Sequence, residues 1–403
     1  TQGGRAIEIF FALLGDWDRT GGNVVPSRPR TKDIVGVKLS DEQTARRLGR
    51  EDRPLGPQVA PPGNIVAYDL YDAILDARPY RVEALLSFGG NTIMNAADPV
   101  RGRAAFEQLG FFAQMENFHT PTSAYADVLL PATTFLENET LVITPEGVAQ
   151  RRIRAVEPLH ERRADIDVIF DLATRLGLGA AFSGGDVAAA YDEILAPAGL
   201  TWEGLRAEPH GVRVTPAPSY EKYTRAGFAT PTRLVEIWSE RFAEHGADAL
   251  PRYEEPAESP LRSPELARDY PLVMTNAKLP QYLHSQHRGV AAIRRTHPDP
   301  SIEIHPDTAA RHGVSDGEWV MIETPRGRAR AKVDVTDAIA RGVVCGYHGW
   351  WEACEPLGRE ALDPYSDRGA NVNLLVHGDV KDPIGGALPH RSTLCRIRPL
   401  VEV

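Results

Sequence analysis

The stretch LPQYLHSQHRGVAAIRRTHP, residues 279–298, gathers three histidines and three arginines among small and apolar residues. Three chemistries suit that set. His284 and His287 are spaced HxxH, as metal-binding pairs can be, but a metal site needs a third ligand and usually a nearby carboxylate. Ser285 and Gln286 fill the middle positions, where the HExxH form carries its glutamate, and no CxxC stands by as a partner. The same residues can form a solvated basic face. They can also form an anion-holding loop, in which a strand end leaves amides free and Lys278, Ser285 and Arg288 supply donors.

Other segments set polar residues where they can work. SFGGN ends in Gly89, Gly90 and Asn91. Adjacent glycines let a backbone approach a phosphate, and they equally make a plain tight turn. MENFHTPTSAYADVLLP places Glu116, His119, Thr120 and Thr122 between two apolar runs, while Gln150 lies in EGVAQRR and Asp165 precedes a helical pattern. A carboxylate matches the two-donor edge of a guanine, although Asp165 serves a helix N-cap as readily. GANVNLL sets Asn371 and Asn373 on alternate positions, so an extended backbone points both to one side. Amides there suit a heterocycle edge or a simple turn. GYHGWW, residues 346–351, reads as packing under a long loop. No Ser-His-Asp set, P-loop or ferredoxin-type cysteine run accompanies these segments.

The elements that must hold these residues follow from periodicity. Residues 5–14 read as a helix with Ile7, Phe10, Phe11 and Leu14 on one face. Residues 20–63 are rich in Pro, Gly and Arg and read as a long excursion without an element. Then come a helix (IVAYDLYDAILD), a strand (EALLSF) with its glycine turn, and a helix with Asp98 as N-cap and Pro99 at its first position. The strands FFAQMENF and ADVLLPA and the helix DIDVIFDLATRLG, stopped by Gly177, complete the rhythm of a parallel sheet covered on both sides. PRYEEPAESPLRSPELARD, residues 251–269, is proline-rich and charged and makes the best boundary. Beyond it LVMT, SIEIH, WVMIET, RARAKVDV, GVVCGYHG and LCRIRP are short strands with one short helix, DTAARHG, which suggests a closed barrel.

Bulk properties narrow the class. The chain has 403 residues, enough for two or three domains. With 45 basic against 55 acidic residues it carries a net charge of −10, which argues against a nucleic-acid binder held by phosphate contacts. Cys345, Cys354 and Cys395 lie far apart and imply no disulfide framework. No run approaches the roughly 20 apolar residues that cross a bilayer. From the residues alone, the expectation is an α/β domain, a β-barrel and a polar, nucleotide-like site between them.

The order SFGGNTIMN, ENFHTPTSAYADVLLPATTFLENET, IEIHPDTAARHGVSDGEWVMIETPRGRARAKVDVT and ANVNLL resembles the molybdopterin oxidoreductase family. That group includes formate dehydrogenases, nitrate reductases, thiosulfate, polysulfide and dimethyl sulfoxide reductases and acetylene hydratase. The resemblance implies a Rossmann-like α/β unit over residues 1–255, followed over 270–403 by a six-stranded double-psi β-barrel, the molydopterin dinucleotide-binding domain. It implies two molybdopterin guanine dinucleotides gripping one molybdenum or tungsten atom. By the same likeness Gly89 and Asn91 lie at the pyrophosphate or ribose of one dinucleotide, and Glu116, Thr120, Gln150 and Asp165 hold its guanosine. Ala277, Lys278, His284, Ser285 and Gln286 contact pterin and phosphates, Asn373 meets a pterin, and Arg391 is the basic residue near the last strand. The opening stretch is then an anion loop and not a metal site.

The family's Cys-rich iron–sulfur motif and its Cys, selenocysteine, Ser or Asp metal ligand have no counterpart here. The resemblance therefore implies the cofactor-binding C-terminal portion of an oxidoreductase, completed by an N-terminal half that carries a 4Fe-4S cluster. An iron–sulfur electron-transfer subunit and a small-molecule substrate are the other expected partners, with the cytoplasm as the default compartment. HSQHR and HGWW lean toward the acetylene hydratase, thiosulfate reductase and formate dehydrogenase side. The competing expectation is a non-catalytic structural or binding subunit of a redox complex that retains the barrel.

Overall fold

Apolar runs bounded by glycine and proline build three sheets in the chain, whose computed structural model describes residues 1–400 except Pro26, 34–38, 57–63, His377 and Val380. The first helix, α1 (Gln2–Leu13), forms where its period predicts, but its stripe does not face a core: Ile7, Phe10 and Leu14 are exposed. Within the excursion that lacks periodicity, Ser40 and Gln43 form a reciprocal capping box that starts a short helix, α2 (Asp41–Ala45). The helix α3 (Ala67–Leu75) buries Tyr71, Ala73 and Ile74.

A parallel sheet follows. Its strands are β1 (Ala84–Phe88), β2 (Phe111–Glu116) and β3 (Val128–Pro131), in that spatial order, with Leu86 opposite Ala113 and Met115 opposite Leu130. Between β1 and β2 run α4 (Thr92–Asn95) and α5 (Pro99–Gln108). Asp98 caps α5, accepting from the Arg101 N–H at 3.0 Å, and Pro99 takes the first position, where a missing N–H costs nothing. Tyr71, Ile74, Ile93, Phe106 and Phe112 make the core beneath the sheet. Because all three strands point one way, Phe88, Glu116 and Pro131 end at a common edge.

A second, antiparallel sheet is formed by β4 (Thr140–Ile143), β5 (Val148–Arg152) and β6 (Val212–Arg213). Strands this short, with consecutive arginines at 151 and 152, carry almost no period-two signal. Between β5 and β6 runs α6 (Asp165–Arg175), followed by Gly177 at φ +76°.

The barrel closes from β7 (Leu272–Ala277), β8 (Ser301–Ile304), β9 (Trp319–Glu323), β10 (Arg328–Val335), β11 (Val343–Tyr347) and β12 (Thr393–Pro399), in the order β10-β8-β11-β7-β12-β9. Each coincides with one of the six apolar runs. Strands β7 and β11 are parallel, as are β8 and β10, and the other pairs are antiparallel. Leu272, Met274, Ile302, Ile304, Val320, Ile322 and Val344 fill the interior. The fold is thus mixed α/β, a parallel sheet followed by a closed six-stranded barrel. The buried Glu258 of the proline-rich segment pairs with Arg326 in the β9–β10 turn and ties that segment to the barrel. Among the described residues no helix is long and apolar enough to cross a membrane.

Candidate functional site

The common edge of the parallel sheet collects the polar residues of its loops. Gly89 and Gly90 have φ of +65° and +92°, a left-handed backbone that glycine adopts without a steric penalty, and a Cβ on Gly89 would meet nothing within 4 Å. The Gly89 N–H donates to the Met115 carbonyl (2.8 Å), and Gln114 Nε2 donates to the Gly90 carbonyl (2.7 Å), so the turn is pinned to β2. Thr122 joins the next loop to it, accepting from the Ile93 N–H and donating to Asn91 Oδ1, both at 3.0 Å. Thr120 sits at the same edge and closes its own turn, with its N–H on Ser123 Oγ and its hydroxyl accepting from the Ser123 N–H.

Glu116 and Asp165 lie within electrostatic reach of each other across β3. The Ala132 N–H donates to the Glu116 carbonyl, and Ala132 bridges to Arg163, two residues ahead of Asp165. Asp165 is not the N-cap; Ala164 holds that position without a side-chain bond, so the carboxylate stands in the first turn with no capping duty. Burial lifts the Glu116 carboxyl above its usual range. Its bond from the Asn117 N–H draws it partly back, and the Asp165 charge adds to the rise.

The barrel contributes its own end. Tyr347 lies opposite Ala277 in the parallel β7–β11 pair, so Lys278 and His348 leave the barrel side by side. Arg288, only 2% exposed, binds the two exits together. Its Nη1 donates to the carbonyls of His284 (2.6 Å) and Gln286 (3.4 Å), its Nη2 to the carbonyl of His348 (2.7 Å), and its guanidinium lies 4.4 Å from the Tyr282 ring and 4.8 Å from that of Trp350. It is the scaffold of the loop and not one of the donors the loop presents. The Ser285 carbonyl is taken by Trp351 Nε1 at 2.8 Å. Held this way, His284 and His287 adopt φ of +52° and +72°, and Lys278, His284 and Gln286 are exposed. The ring of His348 lies 5.8 Å from that of His284.

The two lobes meet between these parts. Asn91 Nδ2 points at Ser285 Oγ (3.5 Å), Asn373 Nδ2 donates to the Met94 carbonyl (2.7 Å), and the hydroxyls of Tyr125 and Tyr365 share a bond of 2.7 Å. Asn91, Ser285 and Asn373 are buried in this seam, and Asn371 closes the turn before Asn373 through its Oδ1. Arg391 is exposed in the turn before β12, two residues beyond the Thr393–Met274 pair, which sets it at the same barrel end as Lys278. Gln150 is the residue left apart. It lies on β5, its Cγ against Gly211 and its amide on the His210 carbonyl at 3.4 Å. His348, read from sequence only as part of an aromatic packing segment, belongs to the site; its signal was the histidine immediately after a barrel strand. Among the described residues no group of three or more His, Cys, Asp or Glu side chains is arranged to hold a metal ion.

The donor set fits a guanine dinucleotide. Two neighbouring carboxylates suit the guanine donor edge, an open glycine backbone suits a close phosphate, and the exposed Lys278 and His284 suit the anion.

Comparison with known proteins agrees. Residues 47–175 match the family model described as molybdopterin oxidoreductase, and residues 272–394 match that of the molydopterin dinucleotide-binding domain. The chain is 29% identical to acetylene hydratase of Syntrophotalea acetylenica over 70% of its own length and 39% of the relative's. It is 26% identical to dopamine dehydroxylase of Eggerthella lenta (98% and 46%) and 32% identical to dimethyl sulfoxide/trimethylamine N-oxide reductase of Rhodobacter capsulatus (71% and 37%). The solved acetylene hydratase from Pelobacter acetylenicus superposes with a TM-score of 0.78 at 25% identity, covering 90% of this chain and 53% of that one. The chain therefore spans less than half the length of these curated relatives. With both domain models matched in order, and the barrel and parallel sheet in place beneath them, the chain belongs to the molybdopterin oxidoreductase family.

Proposed function

We propose that this chain is the cofactor-binding portion of a molybdenum or tungsten oxidoreductase that carries two molybdopterin guanine dinucleotides. Glu116 and Asp165 would receive the guanine donors, the Gly89–Asn91 turn would let the diphosphate approach the backbone, and Lys278, His284 and Gln286 would face phosphate and pterin. When bound, the cofactor's metal supplies the two-electron chemistry; this chain binds and orients its tails and sets the charge around them. An N-terminal half carrying the metal ligand and a 4Fe-4S cluster, and an iron–sulfur electron-transfer subunit, are the partners this reading calls for. The observation that carries it is the Asn91–Ser285 contact, which brings the sheet edge and the barrel loop together.

The test is to express the full-length enzyme in a host that makes the dinucleotide and to measure molybdenum, tungsten and acid-released guanine nucleotide. Wild type should retain both metal and nucleotide, and a Glu116→Ala, Asp165→Ala double variant should lose most of the nucleotide. Equal contents in the two would remove the assigned pocket. A wild-type protein that holds neither would support the non-catalytic subunit instead.

A further inference from the structure

The glycine turn after β1 has two peptide planes whose direction is set by side chains of the sheet. Gly89 and Gly90, at φ +65° and +92°, let a peptide plane turn over with little steric cost, so its direction must come from partners. Two side chains supply them. Ser87 Oγ donates to the Gly89 carbonyl (2.6 Å), and Gln114 Nε2 donates to the Gly90 carbonyl (2.7 Å). Ser87 and Gln114 are register partners on β1 and β2, on the sheet face that carries Leu85 and Phe112 into the core. Both peptide bonds are trans, so each carbonyl points opposite to the N–H of the same plane. With the two carbonyls held toward that face, the N–H groups of Gly90 and Asn91 are turned away from it. Neither has an acceptor among the described residues. Gln114 is also an expensive residue for its position. It is fully buried, and its Oε1 has no partner among the described residues. A buried acceptor left unpaired is destabilising, and an apolar side chain of similar size would avoid it. Packing therefore does not account for the amide; the bond to Gly90 does.

We infer that Ser87 and Gln114 are positioning residues: they turn two successive backbone N–H groups, those of Gly90 and Asn91, outward as donors for a diphosphate. This rests on the proposed cofactor and deepens it, since it names what aims the turn at the anion. Neither side chain needs to touch the ligand. Donors fixed beforehand receive an anion without reorganising, whereas an unpinned Gly-Gly turn would have to give up its freedom on binding.

Full-length enzyme prepared without cofactor would be titrated calorimetrically with guanosine and with GDP, which share base and sugar and differ in the diphosphate. Wild type should bind GDP more tightly than guanosine. Gln114→Met, similar in size and unable to donate, should weaken GDP by about tenfold, as for one hydrogen bond to a charged group, and leave guanosine unchanged. Ser87→Ala should do the same, and Ser87→Thr, which keeps the hydroxyl, should restore the wild-type affinity for GDP. The urea midpoint of Gln114→Met should stay at or above that of wild type, because the unpaired Oε1 is removed together with the bond. A residue that only holds the fold would instead lower the midpoint and weaken both ligands. Should Gln114→Met fail to fold, the two Ser87 variants carry the same comparison. GDP affinity unchanged in the variants, or GDP and guanosine weakened alike, overturns the positioning role. A wild type that binds guanosine but gains nothing from the diphosphate ends this inference and leaves the guanosine pocket standing. A wild type that binds neither removes the pocket itself, and the inference with it.

Discussion

Arg288 donates through Nη2 to the carbonyl of His348 at 2.7 Å, across 60 residues of sequence, and so joins the loop after β7 to the end of β11. The same guanidinium holds the His284 carbonyl at 2.6 Å and lies against the rings of both Tyr282 and Trp350. Two left-handed non-glycine residues, His284 and His287, each cost about 1 kcal/mol, and this anchor is what maintains them. Loop shape, and with it the direction of Lys278, His284 and Gln286, depends on a residue that need not touch a ligand.

Replacing Arg288 by alanine should therefore destabilise the protein by about 3 kcal/mol, through unpaired carbonyls and an empty space beside two rings. Arg288→Lys should recover only part of this, because an ammonium cannot reach two carbonyls in a fixed fork. Urea unfolding midpoints of the two variants check the order; equal stabilities of lysine variant and wild type would count against the anchor.

Gly349 and Gly177 make a controlled pair. Both have positive φ, +88° and +76°, but a Cβ on Gly349 would strike the His284 carbonyl, while one on Gly177 meets nothing within 4 Å. Gly177→Ala should cost about 1 kcal/mol from backbone strain alone. Gly349→Ala should cost at least twice as much and should loosen the loop, read as faster amide exchange over residues 283–288.

The raised Glu116 carboxyl predicts a pH dependence for guanosine binding. A guanine edge donates to the ionised carboxylate, so binding favours deprotonation. Guanosine affinity is full above the free value and is lost as pH falls through it, and because that value is raised the loss begins at higher pH than for an ordinary glutamate. Glu116→Gln should flatten the acid limb and weaken GMP at neutral pH by about 1.5–3 kcal/mol, the usual worth of a hydrogen bond to a charged group. Equilibrium dialysis of GMP against pH measures both.

Asn373 tests the seam. Asn373→Leu leaves the Met94 carbonyl buried without its donor, which should cost about 1–3 kcal/mol. The loss should show as earlier separation of the sheet and barrel lobes in a denaturant series, followed by proteolysis between residues 251 and 269. A unified transition at the wild-type midpoint would mean that Asn373 contributes nothing to docking.

What the chain alone determines is local. The six barrel strands are written in short apolar runs, the α5 start in Asp98 and Pro99, and the α6 stop in Gly177, because strand period and helix caps involve residues within four of one another. The resemblance to a family also placed Glu116, Asp165 and the 277–286 loop as members of one site, and the fold brings them to adjoining edges. The short sheet of β4, β5 and β6 was not legible, since two to five residues cannot express a period. Nor was the exposure of the α1 stripe: its period shows a face, not what covers it.

Only tertiary structure decided which polar side chain does what. Asn91 and Ser285 are 194 residues apart, and Asn373 and Met94 are 279 apart, yet each pair shares a buried contact at the seam. Arg288, an anion donor by its type, is buried as a scaffold, and His348, a packing residue by its neighbours, lies with its ring 5.8 Å from that of His284. A polar side chain takes its role from the partner that desolvates with it, and that partner is chosen by how the barrel and the sheet meet.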